Sequence, residues 1–94
     1  MENLKDETLG LIKRIGKEVD YCHIKLKLLL DWNEYKDLCK GELDSDALDL
    51  NYDNGFGSQE VFGFIVFKDG TWLERYEYDG AEEWDYKECP KLEN

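Results

Sequence analysis

The chain has 94 residues and a mass of 11.1 kDa, enough for a single domain spanning 1–94. Twenty-three acids against twelve Lys plus Arg leave a net charge of −11. That balance excludes a surface built to grip nucleic-acid phosphates and disfavours an anionic membrane, while thirteen aromatics (3 Trp, 6 Tyr, 4 Phe) mark a chain that folds.

Asn3 is placed to cap a helix with apolar positions Leu4, Thr8, Leu11, Ile12, Ile15 and Val19, a spacing of three and four that draws one stripe. Asp6 and Glu7 suit its first turn, Lys13, Arg14 and Lys17 its last, and Gly16 its stop. Strict alternation follows at Cys22, Ile24, Leu26, Leu28, Leu30 and Trp32, the pattern of a half-buried strand. Asn33 then predicts a short helix over 34–40, stopped by Gly41. Residues 42–58 are acidic and turn-rich, with Asn54-Gly55 as a turn signal and a short strand expected around Leu48, Leu50 and Tyr52. Asp69-Gly70 and Asp79-Gly80 divide the remainder into strands near 60–68, 71–78 and 82–88, ended by Pro90. The expected fold is α+β: an N-terminal helix on an antiparallel sheet of four to five strands ending in a meander.

Charge argues for the register of the last hairpin. A two-residue turn at Asp79-Gly80 would set Glu77 against Glu82 and Glu74 against Asp85. Like charges across a ladder destabilise it, so a three-residue loop pairing Arg75 with Glu83 and Glu74 with Trp84 is expected. With a two-residue turn in the first hairpin, one face carries Val61, Ile65, Phe67, Trp72, Tyr76, Trp84 and Tyr86. The other carries Phe62, Phe64, Val66, Leu73, Arg75, Glu83 and Asp85.

Catalytic and metal chemistry find little footing. Cys22 and His23 are neighbours in a strand and point to opposite faces, so they form no nucleophile–base pair. Cys22, Cys39 and Cys89 are too widely spaced for a zinc site, and three unclustered thiols suit a reducing cytoplasm. Residues 49–60 resemble an EF-hand loop, with Asp49, Asn51 and Asp53 at positions one, three and five and Glu60 at twelve. Asn54 stands where that loop has glycine, and Glu60 leads into a strand pattern rather than a helix; calcium there is a minor alternative. Pairs such as Glu82-Glu83 lack a partner base or an apolar pocket. The expectation is a non-enzyme without cofactor.

The charge is lopsided. Residues 1–40 hold eight bases and eight acids; residues 41–94 hold fifteen acids against Lys68, Arg75, Lys87 and Lys91. Glu74, Glu77, Asp79, Glu82, Glu83, Asp85 and Glu88 crowd one hairpin about 24 Å long, approaching the charge density of one nucleic-acid strand. In size, charge and aromatic content the chain resembles small phage-encoded anti-defence proteins, including anti-CRISPR and anti-restriction DNA mimics, and acidic immunity proteins that block nuclease toxins; the segment from Phe67 to Trp84 is also similar to phage proteins of no known activity. That resemblance implies an inhibitor acting in a host cytoplasm. It would bind the basic surface of a nuclease or Cas effector through Glu74, Glu77, Asp79, Glu82, Glu83 and Asp85, with Trp84 and Tyr86 as anchors. It would touch neither nucleic acid nor membrane. The alternative expectation is an ordinary protein–protein module, or a homodimer sealed by aromatics, with its acids turned to water.

Overall fold

A computed structural model describes residues 2–27, 34–52, 59–78 and 81–89. Its elements are β1 (Glu2–Asn3), α1 (Leu4–Ile15), β2 (Val19–Lys27), β3 (Tyr35–Gly41), β4 (Asn51–Tyr52), β5 (Val61–Phe67), β6 (Trp72–Tyr78) and β7 (Ala81–Lys87). Five strands form an antiparallel sheet in the order β3-β2-β5-β6-β7; β1 and β4 form a separate two-stranded pair. The fold is α+β, with a helix packed on an antiparallel sheet.

The helix forms where its stripe and caps predict. Asn3 Oδ1 accepts from the Asp6 N–H at 3.0 Å, satisfying one of the donors a helix start leaves open. At the other end Gly16 adopts φ 73°, a conformation costly for any side chain, and its N–H bonds the Ile12 carbonyl at 2.9 Å. Val19 leaves the helical stripe and begins β2 instead.

One face of the sheet is the core. Cys22 and Ile24 of β2, Val61, Ile65 and Phe67 of β5, Leu73 of β6 and Trp84 of β7 are buried against Leu4, Leu48 and Tyr52. Leu11, Ile12 and Ile15 of α1 and Leu43, Ala47 and Leu50 pack around them, so α1 and the 42–50 segment together make the second layer. The buried Trp84 indole donates to Thr8 Oγ1 at 2.8 Å, fixing α1 to the far edge strand.

Three expectations are corrected. Residues 35–41 are strand β3, not helix: they pair antiparallel with β2. Ile24 faces Cys39 and Lys25 faces Asp37, so Leu38 is an extra bulge residue. The bulge buries two consecutive residues, Leu38 and Cys39, which with Tyr35 mimics helical spacing in the sequence. Both hairpin registers are also exchanged. Ile65 pairs Leu73 and Val66 pairs Trp72, leaving the first hairpin a three-residue loop; Phe67 and Thr71 close it through Phe67 N–H to the Thr71 carbonyl at 2.8 Å. In the second, Tyr78 pairs Ala81 and Arg75 pairs Trp84, the two-residue register that charge repulsion argued against. A one-residue slip turns a strand over, so Leu73 and Arg75 face the core while Trp72 and Tyr76 face outward. The two slips cancel by β7, which is why Trp84 still reaches the core. The strand expected around 48–52 shrinks to the two residues of β4. Leu28, Leu30, Trp32, the Asn54-Gly55 turn, Asp79-Gly80 and Pro90 lie outside the described residues.

Candidate functional site

Beneath β6 and β7 lies a buried polar network. Arg75 is only 7% exposed and Glu82 3%, although both belong to types that seldom leave water unpaired. Arg75 Nη2 donates to Glu82 Oε1 at 2.7 Å and to the Tyr52 hydroxyl at 2.9 Å, and Nη1 to Glu7 Oε1 at 3.4 Å. The Tyr52 hydroxyl in turn donates to Glu7. The guanidinium lies over the Trp84 ring at 4.9 Å and the Tyr52 ring at 5.4 Å, while its Nε has no partner. Glu82 also accepts from the Glu60 N–H at 2.7 Å and the Val61 N–H at 3.0 Å. The β5–β6 ladder pairs only 64–66 with 72–74, so Glu82 satisfies backbone donors at the start of β5 that have no ladder partner.

The pKa shifts follow from this packing. Burial opposes the Arg75 charge, but Glu82, Tyr52 and Glu7 outweigh it and its pKa rises. Burial pushes the Glu7 carboxyl above its ordinary 4.5, with Tyr52 and Arg75 pulling it back. Burial, then donation to Glu7, pushes the Tyr52 phenol up.

The expected hairpin site is therefore broken up. Glu82 and Trp84 are buried. Tyr86 is exposed but tied to the helix end, its hydroxyl accepting from Lys17 Nζ at 2.5 Å. Lys17 also pairs Asp69 at 2.6 Å and, with the Thr71 hydroxyl, holds that carboxyl well below the usual range. Lys87 bridges Glu74 at 3.4 Å and Asp85 at 4.0 Å, which removes the repulsion expected between those opposed acids. Glu77, Glu83 and Glu88 are exposed, and Asp79 lies outside the described residues.

The outer face of the sheet is open. Tyr21, His23, Lys25 and Lys27 of β2 lie beside Val66, Phe64 and Phe62 of β5, and Trp72, Glu74, Tyr76 and Tyr78 of β6 beside Lys87, Asp85, Glu83 and Ala81 of β7. Tyr21, Tyr35, Phe64, Tyr76 and Tyr78 are exposed, Tyr78 by 70%. Phe64 meets Tyr21 and His23 edge-on, Tyr35 meets Phe62 edge-on, and Tyr76 stacks on Tyr78. Charge here is even: Lys25, Lys27, Lys40 and Lys87 stand among Asp37, Glu74, Glu83 and Asp85.

A further group of acids lies in the other layer. Glu42, Asp44, Asp46 and Asp49 are all exposed, and none makes an ion pair among the described residues. The segment is anchored. Asp44 Oδ1 accepts from the N–H groups of Asp46 and Ala47 at 3.1 and 3.3 Å, and the Asp44 N–H reaches Cys39 Sγ at 3.2 Å. Asn3 Nδ2 donates to Asp49 Oδ1 and to Asn51 Oδ1, each at 3.1 Å, and the Leu4 N–H bonds the Leu50 carbonyl at 2.9 Å. These contacts bring the helix start, with Glu2 and Asp6, beside the segment. In the sequence 42–58 reads only as acidic and turn-rich, because nothing local reveals that Leu43, Ala47, Leu48 and Leu50 clamp this segment to the core.

Comparison with protein-family models, curated proteins and solved structures finds no match. Cys22 is buried, and desolvation, followed by the neighbouring Cys39, pushes its thiol from 9.0 up to about 12. His23 points the other way and pairs Asp37 at 2.8 Å, holding that carboxyl low. Among the described residues no group of three or more His, Cys, Asp or Glu is placed to hold a metal ion. Residues 53–58 of the EF-hand-like segment lie outside the described residues; Asp49 and Asn51 both accept from Asn3. Two shallow grooves lie along β7: about 180 Å³ between Glu7, Leu11, Arg14, Glu83 and Trp84, and about 330 Å³ between Glu2, Glu7, Tyr76, Tyr78 and Glu83. Among the described residues no helix is long and apolar enough to cross a membrane.

Proposed function

We propose that the protein is a non-catalytic, inhibitor-type binding protein that occupies the basic, nucleic-acid-handling surface of another protein, a nuclease or Cas effector. The observation that supports it is the acidic ridge of Glu42, Asp44, Asp46 and Asp49, extended by Glu2 and Asp6. All but the half-buried Glu2 are exposed, and backbone and core contacts hold the segment that carries the first four, so little ordering is lost when a partner grips it. A fixed row of anions meeting a cationic cleft speeds encounter 10–10³-fold at low salt. Glu74, Glu83 and Asp85 of the expected hairpin site contribute less, because lysines balance them on the same face.

Column capture tests the reading. Immobilised protein exposed to a cell extract at about 50 mM salt should retain basic nucleic-acid-binding proteins and release them steeply as salt rises. Duplex DNA should compete for them. The variant Glu42→Lys, Asp46→Lys, whose altered side chains face water, should keep its fold and lose the capture about tenfold or more. Retention that ignores both the DNA and the double substitution overturns the proposal.

A further inference from the structure

We propose that the open outer face of the sheet is covered by a second copy of this chain, related by a two-fold axis lying in the interface along β5. The face is apolar in the middle and oppositely charged on its two sides. Phe62, Phe64 and Val66 of β5 form the central stripe. On one side, residues 21–27 of β2 together with β3 present on this face Lys25, Lys27, Lys40 and His23 against one aspartate among the described residues, Asp37. On the other, β6 and β7 present Glu74, Glu83 and Asp85 against a single lysine, Lys87. With histidine neutral, the halves carry net +2 and net −2 on a chain whose total is −11.

That layout selects one symmetry. An in-plane axis along β5 exchanges the halves, so each cationic half meets the partner copy's acidic half, twice over. An axis across the strands would set like charge on like and is disfavoured. The chosen axis keeps the strands of the two sheets within about 30° of parallel, the usual alignment of face-to-face sheets. It lays the β5 stripe on itself, aligns Lys40 with Asp85 and His23 with Glu74 of the second copy, and brings Tyr21 towards Trp72. Five strands of about seven residues give a footprint of roughly 24 Å by 24 Å. With side-chain relief that approaches the ~800 Å² per partner of a standard interface. Because α1 and the 42–50 segment lie on the opposite side of the sheet, both acidic ridges stay outward. The dimer does not rest on the proposed target, and its failure would leave the ridge reading standing.

Purified protein followed by light scattering and sedimentation from about 5 to 200 μM should approach twice the 11.1 kDa chain mass. A single-chain mass across that range overturns the proposal without any variant. Two charge-reversed proteins sharpen the test: Lys25→Glu with Lys40→Glu makes both halves of the face net acidic, and Glu74→Lys with Asp85→Lys makes both net basic. Each alone should dissociate about tenfold more readily or worse, with its circular dichroism unchanged. Mixed one to one they should form a heterodimer, since both contacts then join opposite charges. Dimers that ignore both variants, or a mixture that stays monomeric, overturn the assigned face.

Discussion

Glu82 is the residue whose environment departs furthest from expectation. In the sequence it is one acid among several on a hairpin. In the fold it joins Arg75 to the N–H groups of Glu60 and Val61, a carboxylate bonded on both oxygens. Glu82→Ala should lower stability by about 3–5 kcal/mol, because it strands a buried guanidinium, and should drop the thermal midpoint by about 15 °C or more. Replacing both Arg75 and Glu82 with leucine removes the buried charges but leaves two backbone donors unpaired. That double variant should still lose about 1–3 kcal/mol in urea titration. Full recovery would show that water reaches those N–H groups. Thiol chemistry separates the cysteines in the same way. At pH 8 one thiol, the exposed Cys89, should react promptly with a disulfide reagent, and the buried Cys22 and Cys39 only after unfolding. The unfolded Cys22 thiol ionises near 9.0, while the folded one keeps its proton to about 12. In that window the native state binds more protons, so stability should fall as pH rises through it, and the raised Tyr52 phenol adds the same sign. Urea midpoints at pH 8 and 10.5 check this, with Cys22→Ala flattening the slope.

At the level of elements, the sequence was most legible where several signals agree. The α1 stripe, its Asn3 cap and its Gly16 stop point the same way, as do the alternating runs of β2, β5, β6 and β7. It was least legible where one residue changes a count. The bulge at Leu38 turned a strand into an apparent helix face, and single-residue differences in two Asp-Gly loops exchanged both registers. Charge repulsion was the wrong arbiter for the second hairpin: Lys87 bridges Glu74 and Asp85, and Arg75 draws Glu82 inward. None of these partners is local. Two glycines check the elements. Gly63 sits in β5 at φ 131°, and a Cβ there would lie 1.9 Å from the His23 carbonyl oxygen. Gly63→Ala should cost about 3 kcal/mol or more, from strain added to the clash between β5 and β2. Gly10 lies inside α1 with nothing near its missing Cβ, so Gly10→Ala should stabilise by about 0.5–1 kcal/mol. Thermal melts of the two variants should move in opposite directions.

On the whole molecule, composition states how much charge there is and not where it goes. Residues 41–94 carry the excess acid, yet the aromatic outer face that β5, β6 and β7 share is balanced by Lys25, Lys27 and Lys40 of β2 and β3. Four of those acids, Glu42, Asp44, Asp46 and Asp49, lie in a segment folded back over the core by Leu43, Ala47, Leu48 and Leu50. A chain at −11 repels itself when folded, so raising salt from about 20 to 300 mM should lift the thermal midpoint by a few degrees. A midpoint that falls would mean that specific ion pairs, such as Lys17 with Asp69, outweigh the general repulsion. Asn3 joins these levels, since its one side chain starts α1 and holds Asp49 and Asn51, 46 and 48 residues away. The helix cannot be fully locked until the chain has run through β2 and β3 and come back, which makes this corner a late clasp in folding. Trimming residues 1–3 should loosen the distant loop before it disturbs the sheet, and exchange of the Leu50 amide, which donates to the Leu48 carbonyl within that loop, should rise before that of the sheet amides.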